Sequence, residues 1–598
     1  MNTPSQRLAA LREIMQQQQL NAWIIPSADP HLSEYLPQHW QSRVYVSGFT
    51  GSVGTLVVKA DSADLWVDSR YWEQAAQQLA GSGIALQKLG FGKTHIDDLA
   101  ATLPEHAQVG VAPDMLSLAA KQQLQNAFAT KQIRLQHDQD ILAPLWRDRP
   151  ALPTSEIYLH DPAFVSESSA DKLARVRAAM QEKGANYHLI SALDDIAWLT
   201  NLRGSDVPFN PVFLAYLLIG QDSATLFVVQ PQAVQAAVQH SLAEAGITLA
   251  DYANVAPALA HLQGTLLLDP AKTAVSTVQQ LPPDVALIES INPSTLFKSI
   301  KSAADIEHIR ETMRQDGAAL CGFFAELEHK LAAGETVTEL DIDTLLLAHR
   351  SQRPHFISPS FNTIAGYNAN GALPHYSATP EAFSEITGDG LLLIDSGGQY
   401  QGGTTDITRV IPIGTPTAAQ QRDFTLVLKA HIALARAVFP ENIPAPMLDA
   451  ICRAPMWQAQ CDYGHGTGHG VGYFMNVHEG PQVISYHAQI NPNHAMKAGM
   501  FTSNEPGLYR PQQWGIRIEN LVINQPVAQP AATEFGNFLC FETVTLCPID
   551  TRLVDTSLMN AEEIARLNQY HAQVREKRLP LVDGAAKTWL EERTIAIS

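Results

Sequence analysis

Cysteine is scarce, with five residues in 598: Cys321, Cys452, Cys461, Cys540 and Cys547. An odd number at wide spacing excludes a disulfide framework or a CxxC site, and these thiols read as reduced, mostly core residues. Long apolar runs are also missing. The longest aliphatic stretches, such as Val212 to Ile219, fall far short of the roughly 20 residues that span a bilayer, so no membrane partner is expected. Positive charge is in deficit, with 40 Lys and Arg against 60 Asp and Glu and a formal net charge of −20. Nucleic-acid phosphates would be repelled, which argues against such a partner. The N-terminal stretch has no apolar signal-peptide core, so a soluble, cytoplasmic protein is expected.

What is present supports several domains; at this length two to four are expected. Leu8, Leu11, Ile14 and Met15 recur at helical spacing, and Asn21 to Ile25 reads as a strand. Further strand signals at Thr55 to Val58 and Asp64 to Val67 point to an α/β domain. That pattern repeats. Leu173, Arg177, Met180, Asn186, Leu189 and Ile190 echo Leu8, Arg12, Met15, Asn21, Ile24 and Ile25 at constant offset. Two related α/β domains in tandem are expected, joined through the proline-rich stretch Pro144 to Pro162. Ser302 and Asp305 then form a capping-box signal for a long helix. The expected limits are 1–155, 156–305 and 306–598. Beyond Asp550 a helical tail has apolar faces too sparse for a core of its own, so it must pack on the parent domain or a second subunit.

The chemistry-bearing residues cluster in the third segment. The apolar run Leu391 to Ile394 leads into Asp395, a glycine-rich turn follows, and a run rich in β-formers from Thr404 to Ile413 carries Asp406. Read as a hairpin, this brings two carboxylates face to face. They would repel unless a positive partner held them ionised. Downstream, glycine alternates with His465, Thr467, His469 and Val471. Alternate glycines argue against a helix, and an extended chain would put those four residues on one face with room for a close backbone or ligand. Glu505 and Glu519 lie at or beside strand-like runs, with Arg517 expected on the face of Glu519. Four carboxylates and one imidazole suit a pair of divalent ions of the manganese, cobalt or zinc kind, whose charge would keep neighbouring acids ionised.

In order and local context, Asp395, Asp406, His469, Glu505 and Glu519 resemble the ligand set of the pita-bread metalloaminopeptidase/prolidase/creatinase family. Pro374-His375-Tyr376, His465 to Gly472, Val477-His478-Glu479-Gly480-Pro481 and Asn504-Glu505-Pro506-Gly507 resemble motifs of its three-domain, cytosolic aminopeptidase P branch. So do Ser47 to Ser52, Asp68 to Tyr71 and the tail around Phe541 to Leu546. The resemblance implies a mixed α/β (α+β) chain: two tandem creatinase-like α/β domains, then a pita-bread catalytic domain with a C-terminal helical tail. It implies a homodimeric, dinuclear Xaa-Pro aminopeptidase, with two divalent ions (Mn2+, or else Co2+ or Zn2+) and peptides with proline second as substrate.

By that resemblance Asp395 would chelate one ion, Asp406 and Glu519 would bridge, and His469 and Glu505 would bind the other, Glu505 serving also as general base. His375 and His478 would hydrogen-bond the scissile carbonyl or pass a proton to the leaving nitrogen. His465 would line the proline pocket and Arg517 would support the bridging acids. Among the substrate-binding set of His465, Arg517 and Arg70, Arg70 would contact longer substrates; Ser69 stands where glycine is expected. Two other readings are a prolidase confined to dipeptides and a non-catalytic peptide-binding protein. The second should have lost ligands, and all five are present.

Overall fold

Thr3 opens the first helix: its hydroxyl accepts from the Gln6 N–H while the Gln6 side chain accepts from the Thr3 N–H. In the computed structural model, which describes residues 3–90, 93–528 and 534–598, this helix (α1, Pro4–Gln17) buries Leu8, Leu11 and Met15. The chain divides into two compact units, Met1–Thr295 and Leu296–Ser598.

The first unit contains the duplication. One sheet comprises β1 (Ala22–Pro26), β2 (Thr55–Lys59), β3 (Ala63–Val67), β4 (Ala85–Lys88), β5 (Gln108–Val111) and β6 (Arg134–Gln136), in the order β4-β3-β2-β1-β5-β6. After helix α2 (Ser169–Glu182), a second sheet comprises β7 (Tyr187–Ile190), β8 (Ala215–Gly220), β9 (Ala224–Val228), β10 (Ile247–Asp251), β11 (Thr265–Leu268) and β12 (Ala286–Glu289). Its order, β10-β9-β8-β7-β11-β12, is the same, as are the strand directions. The repeated polar residues do equivalent work. Arg12 Nε donates to Lys59 O at 2.9 Å and Arg177 Nε to Gly220 O at 3.0 Å, each the last residue of the second strand. Asn21 Oδ1 accepts from Gln108 N at 2.8 Å and Asn186 Oδ1 from Thr265 N at 2.9 Å, each the first residue of the fifth strand.

In the second unit the expected cap forms. Ser302 and Asp305 exchange hydrogen bonds and open α3 (Ala303–Ala332), followed by α4 (Glu339–Arg350). A three-stranded antiparallel sheet is built from β13 (Ile364–Tyr367), β14 (Gly390–Ser396) and β15 (Ile407–Ile413), with α5 (Ala418–Ala435) and α6 (Asp449–Gln458) after it in the chain. The short β16 (Gly468–His469) pairs with Val483–Ile484. Then β17 (Phe501–Asn504), the paired β18 (Gly507–Arg510) and β19 (Trp514–Arg517), β20 (Asn520–Pro526) and β21 (Phe538–Thr543) follow. A four-stranded sheet takes the order Val438–Pro440, β21, β20, β17.

The tail packs on its own unit. From α7 (Ala561–Arg578), buried Arg578 donates to the carbonyls of Leu546 and Met313, each at 3.1 Å. Trp589 of α8 (Gly584–Arg593) stacks on Phe324 with ring centroids 5.3 Å apart. Burying such large apolar side chains contributes roughly 1.5–3 kcal/mol each. Among the described residues, no helix is long and apolar enough to cross a membrane.

Candidate metal centre

Strands β14 and β15 form the expected hairpin ladder, with Asp395 opposite Thr408. Asp406 does not stand opposite Asp395, because the connection folds into a ladder of its own, Gly398–Tyr400 against Gly403–Thr404. Asp406 occupies the corner where the chain re-enters β15. Gly397 makes that corner possible: a Cβ there would lie 2.0 Å from Thr405 O.

The glycine-histidine run is not uniformly extended, and its four alternate residues do not share one face. Only Gly468–His469 is strand. Thr467 is buried and donates to Asp449, and Val471 packs in a core with Phe501, whereas His465 and His469 are half-buried. The expected close approach does occur. A Cβ on Gly468 would lie 2.0 Å from Ser503 O, and one on Gly470 would lie 2.1 Å from Glu479 O. Glu505 turns the chain from β17 into β18, and Glu519 links β19 to β20.

These elements bring ligand atoms of Asp406, His469 and Glu519 within 4.8 Å of one another. His469 Nε2 lies 3.6 Å from Asp406 Oδ2 and 3.3 Å from Glu505 Oε1. Its Nδ1 lies 2.9 Å from Gly470 O, which can only accept, so Nδ1 carries a proton and Nε2 is the nitrogen that faces the acids. Asp395 Oδ1 and Glu519 Oε1 are buried without a hydrogen-bond partner. Burial, then Asp395 and Glu505, push Asp406 well above the usual carboxylate range; burial, then Asp406, Glu505 and Asp395, do the same to Glu519. Burial pushes Glu505 up to about 7, with Arg517 opposing the rise and Asp395 adding to it. Orphaned buried oxygens, crowded carboxylates and an imidazole nitrogen are the donor set a divalent cation pair would take.

A buried polar scaffold supports the cluster. Arg517 Nη2 pairs with Asp395 Oδ2 at 2.5 Å, its Nε donates to Thr408 Oγ1 at 3.1 Å and its Nη1 to Tyr509 Oη at 2.7 Å. Thr408 donates in turn to Glu519 Oε2 at 2.9 Å, and Ser503 to Glu505 Oε1 at 3.1 Å. Expected among the substrate-binding residues, Arg517 is 3% exposed with every arm engaged within the protein. Its place is behind Asp395. His465 Nδ1 lies 2.8 Å from Gly466 O, so its Nε2 accepts from Tyr509, also at 2.8 Å. His478 stands edge-on to His469 with ring centroids 4.3 Å apart. His375 follows Pro374, whose carbonyl accepts from Arg517 Nη2 at 3.4 Å. Arg70 belongs to the other compact unit and pairs with Asp68 at 2.8 Å. Thr408, Ser503 and Tyr509 escaped sequence reasoning. Thr408 had a signal, since it lies two residues after Asp406 on one strand face; Tyr509 had none.

The raised carboxyls make a stability prediction for the metal-free protein. An acid bound more tightly as its protonated form in the folded chain stabilises the fold below its ordinary value, about 4.3 for Glu. That contribution is lost as pH rises through the folded value, about 7 for Glu505. The melting temperature of the metal-free chain should therefore fall between about pH 5 and pH 8, and added divalent ion should flatten the slope. A midpoint that rises over this range without metal would contradict the assignment.

The metallopeptidase family M24 profile matches residues 307–525, and a profile for the C-terminal region of that peptidase matches 537–597. Two profiles described as creatinase/prolidase N-terminal domain match 7–139 and 148–305. Aminopeptidase P2 of Arabidopsis thaliana is 38% identical over 96% of this chain and 86% of its own length. A probable Xaa-Pro aminopeptidase P of Coprinopsis cinerea is also 38% identical, over 99% of this chain and 98% of its own. Among solved structures, the X-prolyl aminopeptidase of Caenorhabditis elegans, described as a cytosolic enzyme with a di-nuclear active site, superposes with a TM-score of 0.94. The two are 29% identical, and all of both chains is covered.

Proposed function

The chain belongs to the metallopeptidase family M24, and from that premise we propose that it is a dinuclear metal-dependent aminopeptidase hydrolysing the bond between an N-terminal residue and a following proline. One observation carries the reading: full-length likeness to X-prolyl aminopeptidases coincides with a buried cluster of acids that lacks the positive charge it needs. Asp395, Asp406, His469, Glu505 and Glu519 would hold two ions. Oxygen-rich donors with one nitrogen favour manganese, with cobalt or zinc as alternatives. When bound, the ions supply a hydroxide nucleophile at neutral pH and polarise the scissile carbonyl.

The remaining roles belong to the chain itself. Glu505 is the proton acceptor, with Ser503 orienting one of its oxygens. The Xaa-Pro bond is a tertiary amide without an N–H, so its nitrogen can leave only after receiving a proton. His478 and His375 hydrogen-bond the carbonyl oxygen as charge develops and deliver that proton. His465, its Nε2 satisfied by Tyr509, presents a neutral ring edge to the proline. Arg517 orients Asp395. Arg70 contacts the distal part of longer peptides. We propose three domains at 1–155, 156–305 and 306–598; the second limit falls at the junction of two matched profiles, whereas the first lies inside the profile that begins at 148. A cytoplasmic location accords with the cytosolic relative, and we propose a homodimer.

An assay with manganese separates the readings. Xaa-Pro-Xaa tripeptides and Xaa-Pro dipeptides should both be cleaved, and Xaa-Ala-Xaa peptides left intact. Cleavage of dipeptides alone would make the protein a prolidase, and turnover of the alanine control would remove the proline requirement.

A further inference from the structure

His375, a member of the proposed catalytic set, sits in the irregular segment between β13 and β14. That segment is held on one side by the metal scaffold. Pro374 O accepts from Arg517, and the turn just before packs backbone to backbone on β19, where a Cβ on Gly515 would lie 1.7 Å from Gly371 O.

On the other side, one carboxylate gathers four of its polar groups. Glu339, the first residue of α4, is 2% exposed. Its Oε1 accepts from Tyr367 N at 2.7 Å; its Oε2 accepts from Ser384 N at 2.7 Å and from Tyr376 Oη at 2.8 Å. Asn370 Nδ2 lies 3.0 Å from each oxygen. The Glu339 N–H also donates to Ser384 O at 3.1 Å. One side chain thus ties Tyr367, where the segment leaves β13, to three points within it, Asn370, Tyr376 and Ser384. All four donors are neutral. A buried carboxylate held by neutral donors is costly, and a set this complete is what offsets the desolvation. His375 stands between Pro374, fixed by Arg517, and Tyr376, fixed by Glu339.

We infer that Glu339 is a positioning residue for His375: it sets the backbone from Asn370 to Ser384 so that the imidazole meets the substrate in register with the metal scaffold. The inference rests on the proposed catalytic role of His375, and the test separates the two. Glu339→Gln replaces an acceptor by an NH2 facing donors, so the segment must shift. We expect kcat to fall about ten- to a hundredfold, as misplacement of a reacting group by about 1 Å can do, with KM changed less than about twofold. Metal content should stay that of the parent, and amide hydrogen exchange in the metal-free variant should quicken between 367 and 384. On a His375→Ala background, Glu339→Gln should cause no further loss, because the group it places is gone. The same fall on both backgrounds, loss of metal, or unchanged kcat would overturn the inference. Full activity of His375→Ala alone would instead remove the reading beneath it. Should Glu339→Gln fail to fold, Tyr376→Phe removes one donor and keeps the rest, and its smaller fall in kcat must likewise vanish on the His375→Ala background.

Discussion

Asp406→Asn is expected to abolish turnover and to release both metal ions. Asp406 is the corner of the cluster: its carboxylate lies with His469 and Glu519 inside one ligand-sized space and next to the acids on either side. An amide offers one neutral oxygen where a bridging ligand needs two charged ones. Losing ions that stabilise the transition state by roughly 4 kcal/mol corresponds to about a 10³-fold fall in kcat. Global unfolding is not the expected cause. With metal absent, removing one of several repelling buried carboxylates should leave the variant melting no lower than the metal-free parent at pH 8. Elemental analysis, the tripeptide assay and a thermal melt on one preparation decide the matter. Activity retained with full metal content would sink the bridging role.

His375→Ala and His478→Ala should instead separate chemistry from metal binding. General acid–base groups contribute about 10²–10⁴-fold, and each substitution should lower kcat within that range. Metal content should stay at the parent level, because neither ring is among the five residues proposed to hold the ions. His478 is the more exacting case, since its ring packs edge-on to the ligand His469. A variant that lost its ions would make the substituted histidine a ligand or a prop for one. A variant that kept full kcat would leave the leaving nitrogen without its proposed proton donor.

The chain announces much of this arrangement in its residue order, and the reasons are local. The capping box at Ser302 needs only residues three apart, so it is legible and correct. The duplicated N-terminal sheets are legible because Arg12 with Arg177, and Asn21 with Asn186, do the same work in both copies. The five proposed ligands were nameable because their order and local context resemble a known family's ligand set. The local pattern failed where long-range packing won. The run from His465 to Val471 reads as a single extended face, yet Thr467 is drawn inward by Asp449 on α6 and Val471 by the core beside Phe501. The turn between Asp395 and Asp406 reads as a simple hairpin tip, yet its residues pair into their own ladder.

By itself, then, the sequence determined which groups could do chemistry, and that Asp395 and Asp406, once brought together, would require positive charge. Tertiary structure alone decided how those groups are held. Arg517 reaches Asp395 across 122 positions of sequence, Thr408 reaches Glu519 across 111, and Glu339 gathers four donors from a segment about 30–45 residues away. Buried polar atoms must find partners, and in a folded chain those partners are chosen by proximity in space, which spacing along the sequence does not encode.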